Sequence, residues 1–157
     1  MTREALEHLI AEYGAGVEAE LTLLRQLKRL AAAQQDALRE HDMELVTRIG
    51  DEREQTLAGL VKIEHELKPI RQTLADRQDE ARAIEGFADV VTLHRAAANL
   101  VATIISSDRE TMQALRDAEI ARRFAAQAIE VGETTLAAYR RVIAPPVASA
   151  SLVNKRG

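Results

Sequence analysis

The sequence contains no cysteine and no tryptophan, and aromatic residues make up only 3% of its 157 residues. Without cysteine the chain has no disulfide framework, no thiolate metal site and no cysteine nucleophile. Glycine and proline are scarce, and the only strand-like run, Val101–Ile105, lies inside a helical stretch. What remains is rich in Ala, Leu, Glu, Arg and Gln, a composition typical of long packed helices. The sequence therefore predicts an all-α fold.

Long hydrophobic runs and an excess of positive charge are also absent. No segment approaches the ~18 uninterrupted apolar residues of a membrane helix, and the start, MTREALEH, lacks the basic and apolar regions of a signal peptide. The net charge of −4 and the pI near 5.6 oppose binding to nucleic acid, which favours clustered Lys and Arg. We expect a soluble cytoplasmic protein that binds no nucleic acid and does not insert into membranes.

Apolar residues recur every three or four positions and predict three long helices. The first covers about residues 3–40, the second about 43–83 and the third about 87–143. Together they predict a single bundle domain that ends at residue 143, where paired prolines follow. The small, polar and basic residues 144–157 are expected to form a flexible tail.

Three local signals refine the predicted helices. Pro69 predicts a kink or short break after Lys68, and Gly86 predicts a left-handed stop at the end of the second helix. Ser107 and Glu110 match the S-x-x-E capping box, which can start a new helix or lie within an exposed helical turn. Because the apolar stripe runs across this site, the sequence favours a continuous third helix, with a break near Ser107 as the alternative.

The stretch ALREHDMELVTRI predicts a reversal without glycine or proline. Asp42 can cap the next helix through its carboxylate, and its negative charge suits the positive end of the helix dipole. His41 and Asp42 then form a tight turn that folds the first two helices into an antiparallel hairpin. Packing this hairpin against the third helix gives an elongated three-helix bundle with coiled-coil character.

The three predicted helices differ in length, and this difference has a functional consequence. At 1.5 Å per residue the first two reach roughly 60 Å, while the third reaches roughly 85 Å. About fifteen residues at its C-terminal end are then left uncovered by the hairpin. An exposed apolar stripe indicates a protein partner or self-association, although a third helix that bends back would also cover it. The predicted client-binding residues are Ile120, Phe124, Ile129, Val131 and Leu136.

The hairpin sequence LTLLRQLKRLAAAQQDALREHDMELVTRIGDEREQTLAGLVKIEHEL resembles the FlgN family of flagellar export chaperones. Members of this family typically show a Leu-rich helix, a short turn at Asp, a short apolar run and a charged stretch with leucines. The likeness extends to IISSDRETMQAL in the third segment, and to a tyrosine and a Ser/Lys/Arg-containing tail near the end of the chain. The matching pieces of the hairpin are Ala37-Leu38, His41-Asp42, Leu45–Ile49, Asp51–Arg53 and Leu57–Leu67.

This resemblance implies a cytosolic chaperone that holds hook-filament junction proteins and delivers them to the export gate of the flagellar type III apparatus. Family members bind clients mainly through the C-terminal helix, which agrees with the uncovered stripe and with a helix-in-groove mode of binding. The resemblance also implies that Tyr139 contacts the export gate. Alternatively, Tyr139 is an amphipathic residue that covers the end of the bundle.

Motifs for enzymatic chemistry are missing from the sequence. A di-iron bundle needs Glu-x-x-His on two helices, but none of the four histidines follows a Glu at that spacing. Glu4 and His8 are four residues apart, which is a weak metal signal near a chain end. There is no H-E-x-x-H, P-loop or G-x-S-x-G sequence. We therefore expect no catalytic residues, no metal and no cofactor.

Two other classes of protein remain as alternatives. The stretch TLHRAAANLVAT superficially resembles a histidine phosphotransfer helix with His94 as the phosphoacceptor, but Ala97 and Ala98 stand where Lys and Gly are expected. A histidine beside the bundle core is the competing interpretation. The chain is alternatively a structural coiled-coil adaptor or a homo-oligomeric scaffold, which shares the predicted fold.

Overall fold

The computed structural model describes residues 1–115, which form four helices. They are α1 (Arg3–Arg39), α2 (Met43–Asp76), α3 (Gln78–Arg82) and α4 (Phe87–Leu115). No residue of this part of the chain lies in a strand, and the all-α prediction is confirmed. The predicted continuation of the third helix to residue 143 and the predicted tail lie outside the described residues.

The turn between α1 and α2 is a helix C-cap built without glycine. His41 has a left-handed backbone with φ of 57°. The N–H groups of His41 and Asp42 donate to the carbonyls of Leu38 at 3.1 Å and Ala37 at 2.9 Å, which is the Schellman pattern that usually places glycine at the left-handed position. Asp42 then caps α2, because its carboxylate accepts a hydrogen bond from the N–H of Leu45 at 3.1 Å. The predicted reversal at His41 and Asp42 is confirmed.

The break predicted after Lys68 is wrong. Helix α2 continues through Pro69 to Asp76, and the interruption lies between α2 and α3 instead. A proline removes one backbone N–H donor from a helix. The loss is tolerated here because Leu67 and Leu74, on either side of the proline, are buried in the core and hold the helix against α1.

The start and the middle of α4 follow the sequence-based expectations. Gly86 has φ of 95° and lies immediately before α4 begins, as a left-handed stop requires. Helix α4 passes Ser107 without interruption, so the S-x-x-E sequence does not start a new helix. The hydroxyl of Thr111 donates to the carbonyl of Ser107 at 3.0 Å, one turn earlier in the same helix.

Helix α1 packs against both α2 and α4. Helix α2 runs antiparallel to α1, because the turn at His41 reverses the chain within three residues. Helix α4 runs parallel to α1: Tyr13 of α1 contacts His94 near the start of α4, and Gln35 of α1 contacts Ser107 further along α4. The described helices therefore run up, down and up, with the hairpin turn at one end.

Two glycines inside α1 let its neighbours approach closely. A Cβ atom on Gly16 would overlap the side chain of Leu67 on α2, and one on Gly14 would lie 3.2 Å from Cγ2 of Val90 on α4. Glycine in a helix interior costs about 1 kcal/mol relative to alanine. At these two positions the loss of helix propensity is accompanied by close contact with both neighbouring helices.

Buried apolar residues form three clusters along the bundle, which we call the start, middle and turn clusters. Two layers of buried polar side chains accompany them, one at Tyr13 and His94 and the other at Arg53 and Asp108. The start cluster contains Leu6, Ile10, Tyr13, Val17, Leu67, Leu74, Ala81, Ile84, Phe87 and Val90; the middle cluster contains Leu21, Leu24, Leu27, Leu57, Leu60, Ala97, Val101 and Ile104; the turn cluster contains Ala37, Val46 and Ile49.

Helix α4 is long and apolar enough to cross a membrane by length and composition alone, with a mean hydropathy of 1.2 over its most apolar window. In the structure its residues Val90, Ala97, Val101 and Ile104 are buried among residues of the other helices. Core helices of water-soluble proteins satisfy the same criterion. The absence of membrane insertion therefore stays a prediction.

Candidate functional site

A buried ion pair joins α2 to α4 near the hairpin turn. The guanidinium of Arg53 donates through Nη1 to Oδ1 of Asp108 at 2.8 Å and through Nη2 to Oδ2 at 2.6 Å. The side chains of Arg53 and Asp108 are only 3% and 7% exposed. Nη1 of Arg53 also donates to Oε1 of Gln34 on α1 at 2.9 Å. One guanidinium thus connects all three long helices, in the two-pronged geometry that orients arginine on a carboxylate.

A second polar contact holds α4 against the end of α1. Nε2 of Gln35 donates to the carbonyl and the hydroxyl of Ser107, both at 3.0 Å, and lies 2.7 Å from the hydroxyl of Thr111. Because α1 ends four residues after Gln35 and the described part of α4 ends four residues after Thr111, the two helices finish at about the same level. The chain beyond Leu115 therefore starts at the hairpin-turn end of the bundle.

The predicted interaction residues all follow this point in the chain. They lie outside the described residues, so their proposed roles stay predictions. These residues are the client-binding set Ile120, Phe124, Ile129, Val131 and Leu136, and the export-gate residue Tyr139.

The other buried polar layer lies near the start of the bundle. We call it the polar layer, and it consists of Tyr13 and Glu20 from α1, Glu64 and Arg71 from α2, and His94 from α4. Oη of Tyr13 and Nε2 of His94 lie 2.5 Å apart, and their rings are tilted by 34° with centroids 5.1 Å apart. Nη2 of Arg71 donates to Oε1 of Glu64 at 3.0 Å, and both side chains are under 5% exposed. The layer therefore contains a complete ion pair and a separate hydrogen-bonded ring pair.

Burial changes the acid–base behaviour of three members of the polar layer. Loss of water around His94, with a smaller contribution from the charge of Arg71, lowers the pKa of its imidazole to about 4. Loss of water around Glu20 raises the pKa of its carboxyl to about 8; the charge of Arg71 opposes this shift and that of Glu64 reinforces it. The pKa of Tyr13 is raised by burial as well. At pH 7 His94 is neutral and Glu20 is mostly protonated.

The phosphotransfer interpretation of His94 does not agree with this environment. A phosphoacceptor histidine has to present a ring nitrogen to solvent and to a partner protein. His94 is 1% exposed, and its Nε2 is occupied by the hydroxyl of Tyr13. The competing interpretation placed His94 beside the core, and the structure places it within the core.

Metal and enzyme chemistry gain no support from the described residues. Within residues 1–115, no three His, Asp or Glu side chains are grouped in a way that could hold a metal ion. The buried ion pairs of this region instead join Arg53 to Asp108 across two helices and Arg71 to Glu64 within α2. Together with the contacts of Gln34 and Gln35, they suit a rigid support for a binding segment.

The buried charged residues were the part of the core that sequence analysis missed. Glu20 follows Val17 by three positions and precedes Leu24 by four, and Glu64 has a similar relation to Leu60 and Leu67. A charged residue in register with an apolar stripe is the signal that identifies such positions. The surroundings of these residues were not predictable in the same way, because the packing of separate helices determines them.

Comparison with protein-family profiles, with curated proteins and with solved structures finds no match to this chain. What the structure itself defines is an all-α fold in which α1, α2 and α4 share a core with two buried polar layers.

Proposed function

We propose that this chain is an export chaperone of the flagellar type III apparatus that holds a hook-filament junction protein before export. The proposal combines the resemblance of the hairpin sequence to the FlgN family with the position at which α4 reaches the hairpin turn. It includes an elongated three-helix bundle with coiled-coil character, whose third helix continues towards residue 143. It also implies a cytoplasmic location and a function without catalysis or cofactors.

The observation that carries the proposal is the contact of Gln35 with Ser107 and Thr111. By this level α4 has used nearly the whole length of α1, yet an apolar pattern continues after Leu115. A helical continuation would extend past the support of the hairpin and leave an apolar stripe for a partner. The rigid part of the protein would then be the hairpin with the first half of the third helix.

In this proposal a helix of the client lies along the stripe in a helix-in-groove mode, where apolar anchors spaced by three or four residues supply most of the affinity. Tyr139 is proposed to contact the export gate, so client binding and delivery involve different side chains. The proposed anchors on the chaperone are Ile120, Phe124, Ile129, Val131 and Leu136.

Isothermal titration of the full chain against purified hook-filament junction proteins tests the proposal. We expect saturable binding to a junction protein and no binding to the major filament protein of the same apparatus, which serves as the matched control. Sedimentation of the chain alone should be run in parallel. A stable homo-oligomer that binds no junction protein would contradict the proposal and support the scaffold alternative.

A further inference from the structure

The polar layer contains one carboxyl group whose environment differs from those of the other buried charges. Glu20 is 0% exposed, and neither of its carboxyl oxygens has a hydrogen-bond partner within the described part of the protein. By contrast, Oε1 of Glu64 accepts from Arg71 and both oxygens of Asp108 accept from Arg53. An ionised carboxylate buried without hydrogen bonds is strongly disfavoured.

The charges around Glu20 do not compensate for an ionised carboxylate. From α2, Arg71 attracts it and Glu64 repels it, and Arg71 already forms an ion pair with Glu64. From α1 the layer contains Tyr13, whose hydroxyl is bonded to His94 of α4. The short helix α3 contributes only Ala81 to the buried side. A charged Glu20 would thus leave two carboxylates sharing one buried guanidinium.

We propose that Glu20 is a buried proton-binding site that controls how firmly α1, α2 and α4 pack at the polar layer. With a proton on Glu20 the layer is electrically balanced and the helices pack closely. When the proton leaves, the uncompensated charge draws water into the layer and weakens the packing there. This inference concerns the described bundle and does not depend on the proposed chaperone function.

The direction of the pH dependence follows from the two shifted groups. The pKa of Glu20 rises from 4.5 to about 8 on folding, so its contribution to stability is complete below pH 4.5 and is lost as pH rises to about 8. The pKa of His94 falls from 6.5 to about 4, so its contribution is present above pH 6.5 and is lost as pH falls to about 4. The two trends oppose each other between these limits. Well above pH 6.5 only Glu20 acts.

Urea unfolding of the full chain at pH 6.5 and 8.0 tests the proposal. The native state holds up to one more proton than the unfolded state across this window, so deprotonation of Glu20 should raise the unfolding equilibrium constant roughly 15-fold in total. Glu20→Gln keeps the shape of the protonated carboxyl and should remove this rise. Glu18→Gln, which changes an exposed glutamate of the same helix, should retain it.

Hydrogen exchange then locates the change within the protein. Amides of α1, α2 and α4 near the polar layer should exchange faster in the wild-type chain than in the Glu20→Gln variant at pH 8.0, and at nearly equal rates in both at pH 6.5. The same pH dependence of unfolding in wild type and in Glu20→Gln would overturn the proposal.

A direct titration keeps the test decisive if the Glu20→Gln variant does not fold. In the wild-type chain labelled with ¹³C at glutamate carboxyls, one resonance should titrate near the pKa of about 8 given for Glu20. If every glutamate carboxyl titrates in the ordinary acidic range, the proposal is overturned.

Discussion

Removing the carboxylate of Asp108 should destabilise the bundle severely. In Asp108→Ala the guanidinium of Arg53 loses both hydrogen bonds to this residue, although its own side chain is only 3% exposed in the wild-type bundle. Breaking a buried ion pair by deleting one partner typically costs about 3–5 kcal/mol, which is the figure we expect here. The remaining bond to Gln34 satisfies one donor but carries no compensating charge.

An exposed ion pair in the same protein provides the matched control. Arg39 and Asp36 lie 2.8 Å apart, but their side chains are 72% and 64% exposed. Asp36→Ala should change stability by less than about 1 kcal/mol, since exposed ion pairs contribute little. The comparison therefore varies burial while the type of interaction stays the same.

A double variant separates the ion pair from the packing around it. Arg53→Met combined with Asp108→Leu removes both charges, and it should recover most of the loss caused by Asp108→Ala. Urea unfolding followed by circular dichroism measures all of these variants. If Asp108→Ala is no more destabilising than Asp36→Ala, the buried contact between α2 and α4 is misplaced.

The remaining predictions concern the turn, the core and His94. Asp42→Ala should cost about 1 kcal/mol through loss of the cap, and Leu60→Ala, at a 0% exposed position, should cost about 2–5 kcal/mol; urea melts with equal, negligible losses would contradict both. His41→Gly should stabilise the protein by about 1 kcal/mol by relieving a left-handed backbone, and an unchanged melting midpoint would argue against that turn geometry. Incubation with acetyl phosphate should leave His94 unmodified in mass spectrometry, whereas a stable adduct there would restore the phosphotransfer interpretation.

The apolar periodicity of the sequence predicted the core of α1 well. Leu6, Ile10, Val17 and Leu24 were assigned to one stripe, and all are buried. This succeeds because a helix of 3.6 residues per turn fixes which side chains share a face before any partner is known. The turn at Asp42 was predictable for a related reason, since capping depends on residues that are neighbours in sequence.

Pro69 and the polar layers show where such reasoning ends. A local rule predicted a break at Pro69, and tertiary packing of the residues around it holds the helix instead. Glu20, Arg71 and Asp108 acquire their surroundings from other helices, so their burial depends on the register between helices. A stripe identifies a face, but it does not state which buried charge will meet which partner.

The proposed function makes the region after residue 115 the binding element, and truncation tests this directly. A chain that ends at Glu119 keeps the hairpin, the contacts of Gln35 and the ion pair of Asp108. Circular dichroism should show that its helical bundle is retained, and urea unfolding should still be cooperative. These controls ensure that any loss of binding comes from the deleted segment.

Point substitutions in the full chain separate binding from delivery. Phe124→Asp and Val131→Asp should weaken client binding, because a carboxylate desolvated in an apolar groove costs several kcal/mol, roughly 2–7, without a partner. Tyr139→Ala should leave binding nearly unchanged and reduce export of the client in cells. Equal effects of all three on binding would contradict the proposed division of roles.

The most direct measurement is isothermal titration of a hook-filament junction protein into the full chain and into the chain that ends at Glu119. The account predicts saturable binding to the full chain and no measurable binding to the truncated one, with the bundle of both chains intact. Undiminished affinity in the truncated chain would contradict the proposal that the client binds beyond the hairpin.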